Sequence, residues 1–318
     1  MKIHVTQGHE RGIGLEVFFK SCLMMNESDL KNIQLIGFED SVSMVLQKMR
    51  VPYKITEESI LIGDLEISVL WLKNSGFSQS FSSLLHGMKM SEEGGILFTL
   101  PTSKDQFPGF PGHTEFFRSY YNRPDLVMFF SSPNLKVLLL SDHIPIKNIP
   151  KILTERAISS RIEIAHTSLL QMEYPISNIL VSGFNPHAGE SGLIGNEDLR
   201  VSSAIKSLRK KFKLHISGPY PGDTMLMEKK SFNDLLVYIF HDQGLGVFKS
   251  IQGLIGSNIT LGLPYPRFSP DHGTSFGLYG KNQADYRGCA YALNEALIIL
   301  MKDHPWKKYK SQKQKFTT

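Results

Sequence analysis

The segment Asn178–Gly183 reads NILVSG, a short apolar run that ends at a glycine. It is followed by Asn185–Glu190, which reads NPHAGE and is rich in turn-forming residues, and then by Arg200–Lys211, in which apolar residues recur at helical spacing. A short apolar run beside turn residues indicates a strand, and a 3.6-residue apolar period indicates a helix. This stretch therefore predicts a strand, a loop and a helix in succession.

The same alternation recurs along the chain. Helical spacing is found in Ser41–Met49, Asn148–Ile164 and Ala284–Met301. Other short runs that predict strands are Lys2–Thr6, Ile33–Gly37, Leu65–Leu70, Gly95–Thr99, Leu126–Phe130, Lys136–Ser141 and Leu235–Phe240. Alternating strands and helices predict an α/β fold in which helices cover a parallel or mixed sheet. In such folds ligands bind at loops that follow the strands.

Composition places the chain among ordinary globular proteins. Of its 318 residues, 41% are apolar and 20% are charged, which excludes disorder as the default state. The two cysteines, Cys22 and Cys289, form no C-x-x-C pair, so we expect neither a disulfide framework nor a cysteine zinc site. A reducing compartment fits best, and we expect a cytoplasmic protein.

Neither membrane association nor nucleic-acid binding is indicated. The N-terminus lacks the pattern of a signal peptide, and the longest apolar runs are far shorter than the roughly 20 residues that span a bilayer. Asp303–Thr318 contains five lysines and one aspartate, so this tail carries four of the five net positive charges. Such a basic end is usually a solvated tail, and we expect neither a nucleic-acid partner nor a membrane partner.

Histidines supply the strongest chemical signal. Imidazole is the commonest ligand of divalent metals, and three histidines with one open position suit a metal that polarises a substrate oxygen. His143, His187 and His241 are separated by 44 and 54 residues, so only the fold can bring them together. A single histidine after a strand more often caps the strand end or fills a turn. Four histidines that are all predicted to follow strands favour a metal site. The four lie in Gly112–Glu115, Ser141–Pro145, Asn185–Glu190 and His241–Gly244.

Basic residues in other loops are candidate phosphate ligands. They are Lys104 in the loop Thr99–Lys104, Lys249 after a glycine-bearing segment, and Arg267 between two prolines. Lysine binds phosphate as a point charge and arginine through a bidentate fork, although one such residue alone is more often a surface cation.

Two glycine motifs are close to known signatures but do not fit them. Gly8–Gly14 has the spacing G-x-x-x-G-x-G, which differs from the G-x-G-x-x-G dinucleotide fingerprint. Gly273–Gly277 matches the G-x-S-x-G nucleophile elbow, but His304 is the only later histidine and it lies beside the basic tail. We therefore expect neither a Rossmann site nor a serine hydrolase.

Five stretches together resemble the 4-hydroxythreonine-4-phosphate dehydrogenase family, and the resemblance spans nearly the whole chain. They are Gly112–Phe116, Gly183–Gly192, Gly218–Thr224, Tyr238–Lys249 and Asn258–Thr274. The resemblance implies an isocitrate/isopropylmalate dehydrogenase-like fold with two α/β domains and an interdomain cleft. We expect the first domain to comprise residues 1–112 plus 260–318. The second, residues 113–259, would carry most metal ligands and a dimer interface.

The resemblance also implies a role for individual residues. A divalent metal (Zn, Co, Ni, Mn or Mg) would be bound by His143, His187 and His241 at the interface of a homodimer, with both subunits building each site. The implied substrate contacts are His113, Thr114, Lys249, Asn258 and Arg267. The candidate catalytic residues are Lys104, Asp223 and Asp242, of which the two aspartates maintain the site.

The implied reaction is an NAD- or NADP-dependent oxidation of a small phosphorylated substrate, 4-phosphohydroxy-L-threonine. The product, a 2-amino-3-oxo-4-phosphooxybutanoate, decarboxylates to 3-amino-2-oxopropyl phosphate within pyridoxal phosphate biosynthesis. The chemistry agrees with the residues, because a metal held by neutral imidazoles withdraws charge from a substrate hydroxyl while hydride leaves for nicotinamide. No residue distinguishes NAD from NADP, since the acidic residue that does so belongs to the absent fingerprint.

Two loops depart from the family's usual sequence and leave alternatives open. Gly8–Glu16 reads GHERGIGLE where the family usually has G-D-P-x-G-I-G-P-E, and Thr102-Ser103 replaces a frequent Ile-Asn. A paralogue that oxidises another phosphorylated hydroxy acid, such as a four-carbon sugar-acid phosphate, is one alternative. A non-catalytic binding protein of the same fold is another. A metal-dependent hydrolase would account for the histidines but not for the resemblance along the whole chain.

Overall fold

Strands and helices alternate through residues 1–302, the part of the chain that the computed structural model describes. The strands are β1 Lys2–Thr6, β2 Ile33–Gly37, β3 Lys54–Ile55, β4 Ser59–Ile62, β5 Leu65–Trp71, β6 Gly95–Thr99, β7 Val127–Ser131, β8 Lys136–Leu139, β9 Asn178–Ser182, β10 His215–Tyr220, β11 Leu235–Tyr238, β12 Ser257–Leu261 and β13 Arg267–Pro270. The helices are α1 Gly14–Cys22, α2 Glu27–Leu30, α3 Glu39–Met49, α4 Gln79–Gly94, α5 His113–Tyr120, α6 Ile149–Ile152, α7 Glu155–Gln171, α8 Glu197–Lys211, α9 His241–Gln252 and α10 Arg287–Met301. The predicted α/β class is confirmed. The basic tail and His304 lie outside the described residues.

Contacts divide the chain into two compact units. Unit 1 comprises residues 1–122, 254–258 and the chain from Leu263 onwards, whereas unit 2 comprises residues 123–253 and 259–262. Helix α5 belongs to unit 1 in this division, although the predicted second domain began at residue 113. The predicted domain boundaries, after residues 112 and 259, remain a prediction.

The sheet of unit 1 has the strand order β13-β6-β1-β2-β5-β4-β3. Strands β13, β6, β1, β2 and β5 are parallel, and β4 and β3 add an antiparallel edge. Strands β1, β2 and β6 are almost fully buried, as expected where helices cover both faces of a sheet. Gly87 lets α4 approach this sheet closely, because a Cβ atom there would lie 2.6 Å from Cγ2 of Thr6.

In unit 2 the strand order is β10-β9-β11-β8-β7. The first four strands are parallel, and β7 pairs with β8 in the antiparallel direction. Helix α9 packs on this sheet through Phe248, which is fully buried in a cluster with Leu139, Leu236 and Tyr238. Because β9, β11 and β8 are adjacent and parallel, the loops that follow them begin at one edge of the sheet.

One predicted helix differs from the structure. Residues Asn148–Ile164 were expected to form a single helix, but two helices, α6 and α7, meet near Leu153. Thr154 causes the break, because its side-chain oxygen accepts a hydrogen bond from the backbone N–H of Ala157 at 3.1 Å and so caps a new helix. Within residues 1–302, no helix combines the length and the apolar character needed to cross a membrane.

Candidate functional site

Three of the four singled-out histidines lie at the same edge of the unit 2 sheet. His143 follows β8, His187 follows β9, and His241 is the first residue of α9 after β11. The predicted position after a strand is therefore confirmed for these three. It is wrong for His113, which begins α5 in unit 1 and is separated from β6 by a loop and a short 3-10 turn.

The structure brings His143 and His241 together. Their ring centroids are 5.7 Å apart, and both side chains line a cavity of about 360 Å³ with Asp142 and Asp242. Imidazole nitrogens bind zinc at about 2.1 Å, so two rings that share an ion have centroids within roughly 6 Å. The spacing and the nitrogen donors of this pair thus fit a divalent metal.

Two aspartates form hydrogen bonds with the residues that carry these rings. Nδ1 of His241 lies 2.7 Å from Oδ1 of Asp242, and the backbone N–H of His143 donates to Oδ1 of the buried Asp142 at 3.0 Å. A carboxylate that accepts the Nδ1 proton of a histidine leaves Nε2 as the lone-pair nitrogen. Nε2 of His241 is therefore the atom available to a metal.

His187 lies on an unusual loop and does not join the pair within one chain. In residues 1–302, no three side chains of the metal-binding types lie close enough to hold one ion. Residues 187–191 all have positive φ, with values of 54°, 53°, 76°, 42° and 57°. Left-handed backbone costs about 1–2 kcal/mol for each residue that is not glycine, so the surrounding structure must hold this loop.

Asp198 of α8 anchors the start of the His187 loop. Its buried carboxylate accepts hydrogen bonds from the backbone N–H groups of Phe184 and Asn185, at 2.6 and 3.1 Å, and from the side chain of Asn185 at 2.9 Å. Gly183 permits this packing, because a Cβ atom there would lie 2.7 Å from Cα of Ala188. Asp198 was not predicted as a functional residue, because its only signal in the sequence is an acidic residue in the first turn of a helix.

The other proposed unit 2 residues differ in exposure. Asp223 is exposed in the turn after β10, and Lys249 is half-buried on α9, two turns beyond His241. Asp242 is also largely exposed, with a side chain 84% accessible to solvent.

In unit 1, Arg267 and His113 lie against one aromatic ring. Nε and Nη2 of the buried Arg267 donate to Oγ1 of Thr99 at 3.1 and 2.6 Å, and its guanidinium lies 5.7 Å from the centroid of Phe117. The His113 ring is 6.1 Å from the same centroid. Burial lowers the pKa of Arg267 to about 10, so the group stays charged at neutral pH. Burial, and then the charge of Arg267, lower the pKa of His113 well below 6.5, so its ring is neutral.

Thr114 and Asn258 are the other predicted substrate contacts in unit 1. Thr114 is buried in the first turn of α5, next to His113. Asn258 lies on β12, and within residues 1–302 its buried Oδ1 atom has no hydrogen-bond partner. A cation, a neutral imidazole and an amide are groups that recognise a phosphorylated, hydroxylated ligand.

The loops Gly8–Glu16 and Thr99–Lys104 touch each other. The backbone N–H of His9 donates to the carbonyl of Pro101 at 3.0 Å, and Gly8, at φ 69°, packs on the same carbonyl. Nδ1 of His9 accepts from the backbone N–H of Arg11 at 3.0 Å. Aspartate side chains commonly form this i to i+2 bond in turns, and here the His9 ring forms it. Lys104 is exposed at the start of the 3-10 turn that follows.

Comparison with known proteins identifies the family. A family model described as pyridoxal phosphate biosynthetic protein PdxA matches residues 28–296. The chain belongs to this family. The matched segment contains every site residue proposed from the sequence, and it begins after the altered loop Gly8–Glu16.

Individual relatives agree with the PdxA assignment. A 4-hydroxythreonine-4-phosphate dehydrogenase from Shewanella denitrificans is 36% identical over 250 residues, which are 76% of each chain. A relative from Oceanobacillus iheyensis, whose name proposes a D-threonate 4-phosphate dehydrogenase, is 34% identical over 229 residues, or 69% of each chain. The crystal structure of 4-hydroxythreonine-4-phosphate dehydrogenase from Klebsiella pneumoniae has a TM-score of 0.80 and 28% identity, and the likeness covers 95% of this chain and 98% of that one.

These likenesses confirm the predicted family and its fold class. The relatives are dehydrogenases, so this PdxA-family chain is an enzyme of the oxidoreductase class, which implies a nicotinamide cofactor.

Proposed function

We propose that this enzyme oxidises 4-phosphohydroxy-L-threonine with NAD or NADP and a divalent metal. The product, 2-amino-3-oxo-4-phosphooxybutanoate, then loses carbon dioxide to give 3-amino-2-oxopropyl phosphate, as part of pyridoxal phosphate biosynthesis. The observation that carries the proposal is the His143–His241 pair in its cavity, in a chain of the PdxA family. We place the reaction in the cytoplasm, and the free, buried state of Cys22 and Cys289 agrees with a reducing compartment.

His143 and His241 would hold the metal, and His187 would complete the site from the other subunit of a homodimer. Exposed apolar side chains in unit 2 support an interface between two copies. Leu193 follows the His187 loop and is 86% exposed, and Ile146 lines the cavity and is 62% exposed. When bound, the ion supplies Lewis-acid polarisation of the substrate oxygen.

The chain's own groups would bind the substrate and move its protons. Arg267 and Lys249 would bind the phosphate, and neutral His113 would hydrogen-bond the substrate with Thr114 and Asn258. Oxidation would remove the C3 hydrogen as hydride and the proton of the C3 hydroxyl, and a nicotinamide cofactor, when bound, would supply the hydride acceptor. During decarboxylation, the C1–C2 bond breaks and C2 gains a proton, for which Lys104 is the candidate donor. Asp242 would keep His241 oriented, and Asp223 would maintain the site beside it.

D-threonate 4-phosphate is the second candidate substrate, because the name of one relative proposes it. It carries a hydroxyl at C2 where the first candidate carries an amine, so the phosphate and metal contacts would be shared. The first candidate is favoured because it gives its name to the relatives of higher identity.

Initial rates of NAD and NADP reduction with both substrates test the proposal. A higher kcat/KM for 4-phosphohydroxy-L-threonine is expected. A higher value for D-threonate 4-phosphate would transfer the assignment to the second candidate, and no reduction with either substrate would contradict both.

Mixing two inactive variants tests the shared site. If His187 serves the other subunit, a heterodimer of His187→Ala and His241→Ala has one site with both substitutions and one intact site. Reassociated mixtures should then regain about a quarter of wild-type activity by statistical pairing. Mixtures that remain inactive while exchanging subunits would show that each site lies within one chain.

A further inference from the structure

The side-chain amide of Gln243 lies where three strands of unit 2 end. Its Oε1 atom accepts a hydrogen bond from the backbone N–H of Ile239 at 2.9 Å and another from Oγ of Ser182 at 3.1 Å. Its Nε2 atom donates to the carbonyl oxygen of Gly183 at 2.9 Å. One amide therefore joins the end of β11, from which the His241 helix begins, to the end of β9, from which the His187 loop begins.

The turn after β10 packs on the same amide. A Cβ atom on Gly222 would lie 2.6 Å from Nε2 of Gln243, so the glycine backbone is in close contact with it. The backbone N–H of Gly183 also donates to the carbonyl of Tyr220 at 2.7 Å. The segments that lead to Asp223, His187 and His241 thus meet at Gln243.

Helix capping accounts for only part of this arrangement. Gln243 is the third residue of α9, and a glutamine there often accepts a hydrogen bond from a backbone N–H just before the helix. Capping requires the Oε1 atom alone. The bond from Nε2 to Gly183 reaches a strand 60 residues away in sequence and has no part in capping.

We propose that Gln243 is a positioning residue that holds the base of the His187 loop and the start of the His241 helix at a fixed spacing. It would thereby set the affinity of the site for a divalent metal. We expect Gln243 to affect metal affinity in either of two cases. His187 and His241 of one chain can bind the same ion, or in a homodimer they can bind two different ions. The inference rests on the metal site of the proposed function.

Gln243→Glu tests this role with little change in shape. A glutamate keeps an oxygen for capping but places a second oxygen against the Gly183 carbonyl, which replaces a hydrogen bond with repulsion. The matched control is Phe248→Leu, which removes buried volume beneath the same helix and leaves all three hydrogen bonds intact. His187→Ala serves as the control for loss of a ligand.

The measurement is the Co²⁺ dissociation constant of each metal-free protein, beside its stability in denaturant without metal. We expect Gln243→Glu to weaken Co²⁺ binding about 10–100-fold, the usual effect of removing a group that orients metal ligands. Phe248→Leu should bind Co²⁺ within about threefold of wild type, since it disturbs no group around the ligands.

Gly222→Ala is the second variant, and it carries the test if Gln243→Glu does not fold. Its φ lies outside the positive range, so the added methyl strains no backbone and acts by displacing Nε2. It should weaken Co²⁺ binding in the same direction.

Three outcomes would overturn the proposal. Wild-type affinity in Gln243→Glu and Gly222→Ala, with binding lost in His187→Ala, would remove the role of Gln243 and leave the metal site standing. If Phe248→Leu weakens Co²⁺ binding as much as Gln243→Glu does, and the two variants are equally stable, Gln243 acts only by stabilising the fold. A wild-type protein that does not bind Co²⁺ would remove the metal site and the positioning role together.

Discussion

Nδ1 of His241 lies 2.7 Å from Oδ1 of Asp242, although the Asp242 side chain is 84% exposed. An exposed pair of this kind contributes little to stability, because water screens its charges. We expect the bond to matter for metal binding instead, because it occupies Nδ1 and leaves Nε2 as the lone-pair nitrogen of a ring that lines the cavity with His143. Removing the Asp242 carboxylate should therefore lower metal affinity and leave the free energy of unfolding nearly unchanged.

Asp242→Ala should weaken divalent-metal binding by about tenfold. The free energy of unfolding without metal should stay within about 0.5 kcal/mol of wild type, as for most surface substitutions. Calorimetric titration with Zn²⁺ and denaturant unfolding measure the two quantities. Glu27→Ala, which removes the exposed partner of Lys31, is the control that should change neither. Unchanged Zn²⁺ affinity in Asp242→Ala would remove its orienting role.

Arg267→Ala should chiefly raise KM for the phosphorylated substrate. A phosphate contact remote from the reacting carbon binds ground state and transition state alike, and a charged hydrogen bond contributes about 1.5–3 kcal/mol, or roughly 10–100-fold in KM. Steady-state kinetics measure the change, with unfolding curves to show that the variant is folded. Arg287→Ala, which breaks an exposed pair with Asp285, is the control. A large fall in kcat at unchanged KM would contradict the phosphate role.

Asp198→Ala should lower the free energy of unfolding by about 2–4 kcal/mol, because two backbone N–H groups at Phe184 and Asn185 lose their acceptor. Denaturant unfolding at neutral pH measures the loss. Glu197→Ala is the control, since this half-exposed neighbour accepts a hydrogen bond from the Asn185 side chain, whereas Asp198 accepts from the backbone of Phe184 and Asn185. A loss below about 1 kcal/mol would show that the left-handed loop is held by other contacts.

His4 should make the protein less stable as the pH falls below about 6.5. Burial on β1 lowers the pKa of its ring to about 4, so the unfolded chain takes up a proton that the folded chain does not. Between these two pKa values stability rises with pH and is lost on acidification. From pH 7 to pH 5 the loss due to His4 is about 2 kcal/mol. Equal pH dependence of unfolding in wild type and His4→Gln would contradict this account.

The sequence predicted those parts of the fold that follow from local pattern. Lys2–Thr6 and Gly95–Thr99 have the predicted bounds, because each is a buried apolar run beside a turn. Strand β13, Arg267–Pro270, was missed because it contains a buried arginine and a proline, and pairing with β6 rather than propensity makes it a strand. Strand β10 was also missed, because Gly218 and Pro219 within it have low strand propensity.

In the site, too, the sequence predicted the features that follow from local pattern. Loops after strands placed His143 and His241 at one edge, where the structure brings their rings together. Asp198 and Gln243 could not be found in this way, because their importance depends on backbone groups 14 and 60 residues away. Asn258 was proposed from the family resemblance. The physical support for its role is its buried Oδ1 atom, which has no hydrogen-bond partner among residues 1–302.

The most direct test of metal-dependent dehydrogenation follows NAD and NADP reduction with 4-phosphohydroxy-L-threonine after chelation, and again after a divalent metal is added back. The account predicts that turnover is lost on chelation and restored by the metal, and that His187→Ala is not restored, because two imidazoles make a poor site. Full turnover after chelation, in a protein shown to hold no metal, would contradict it.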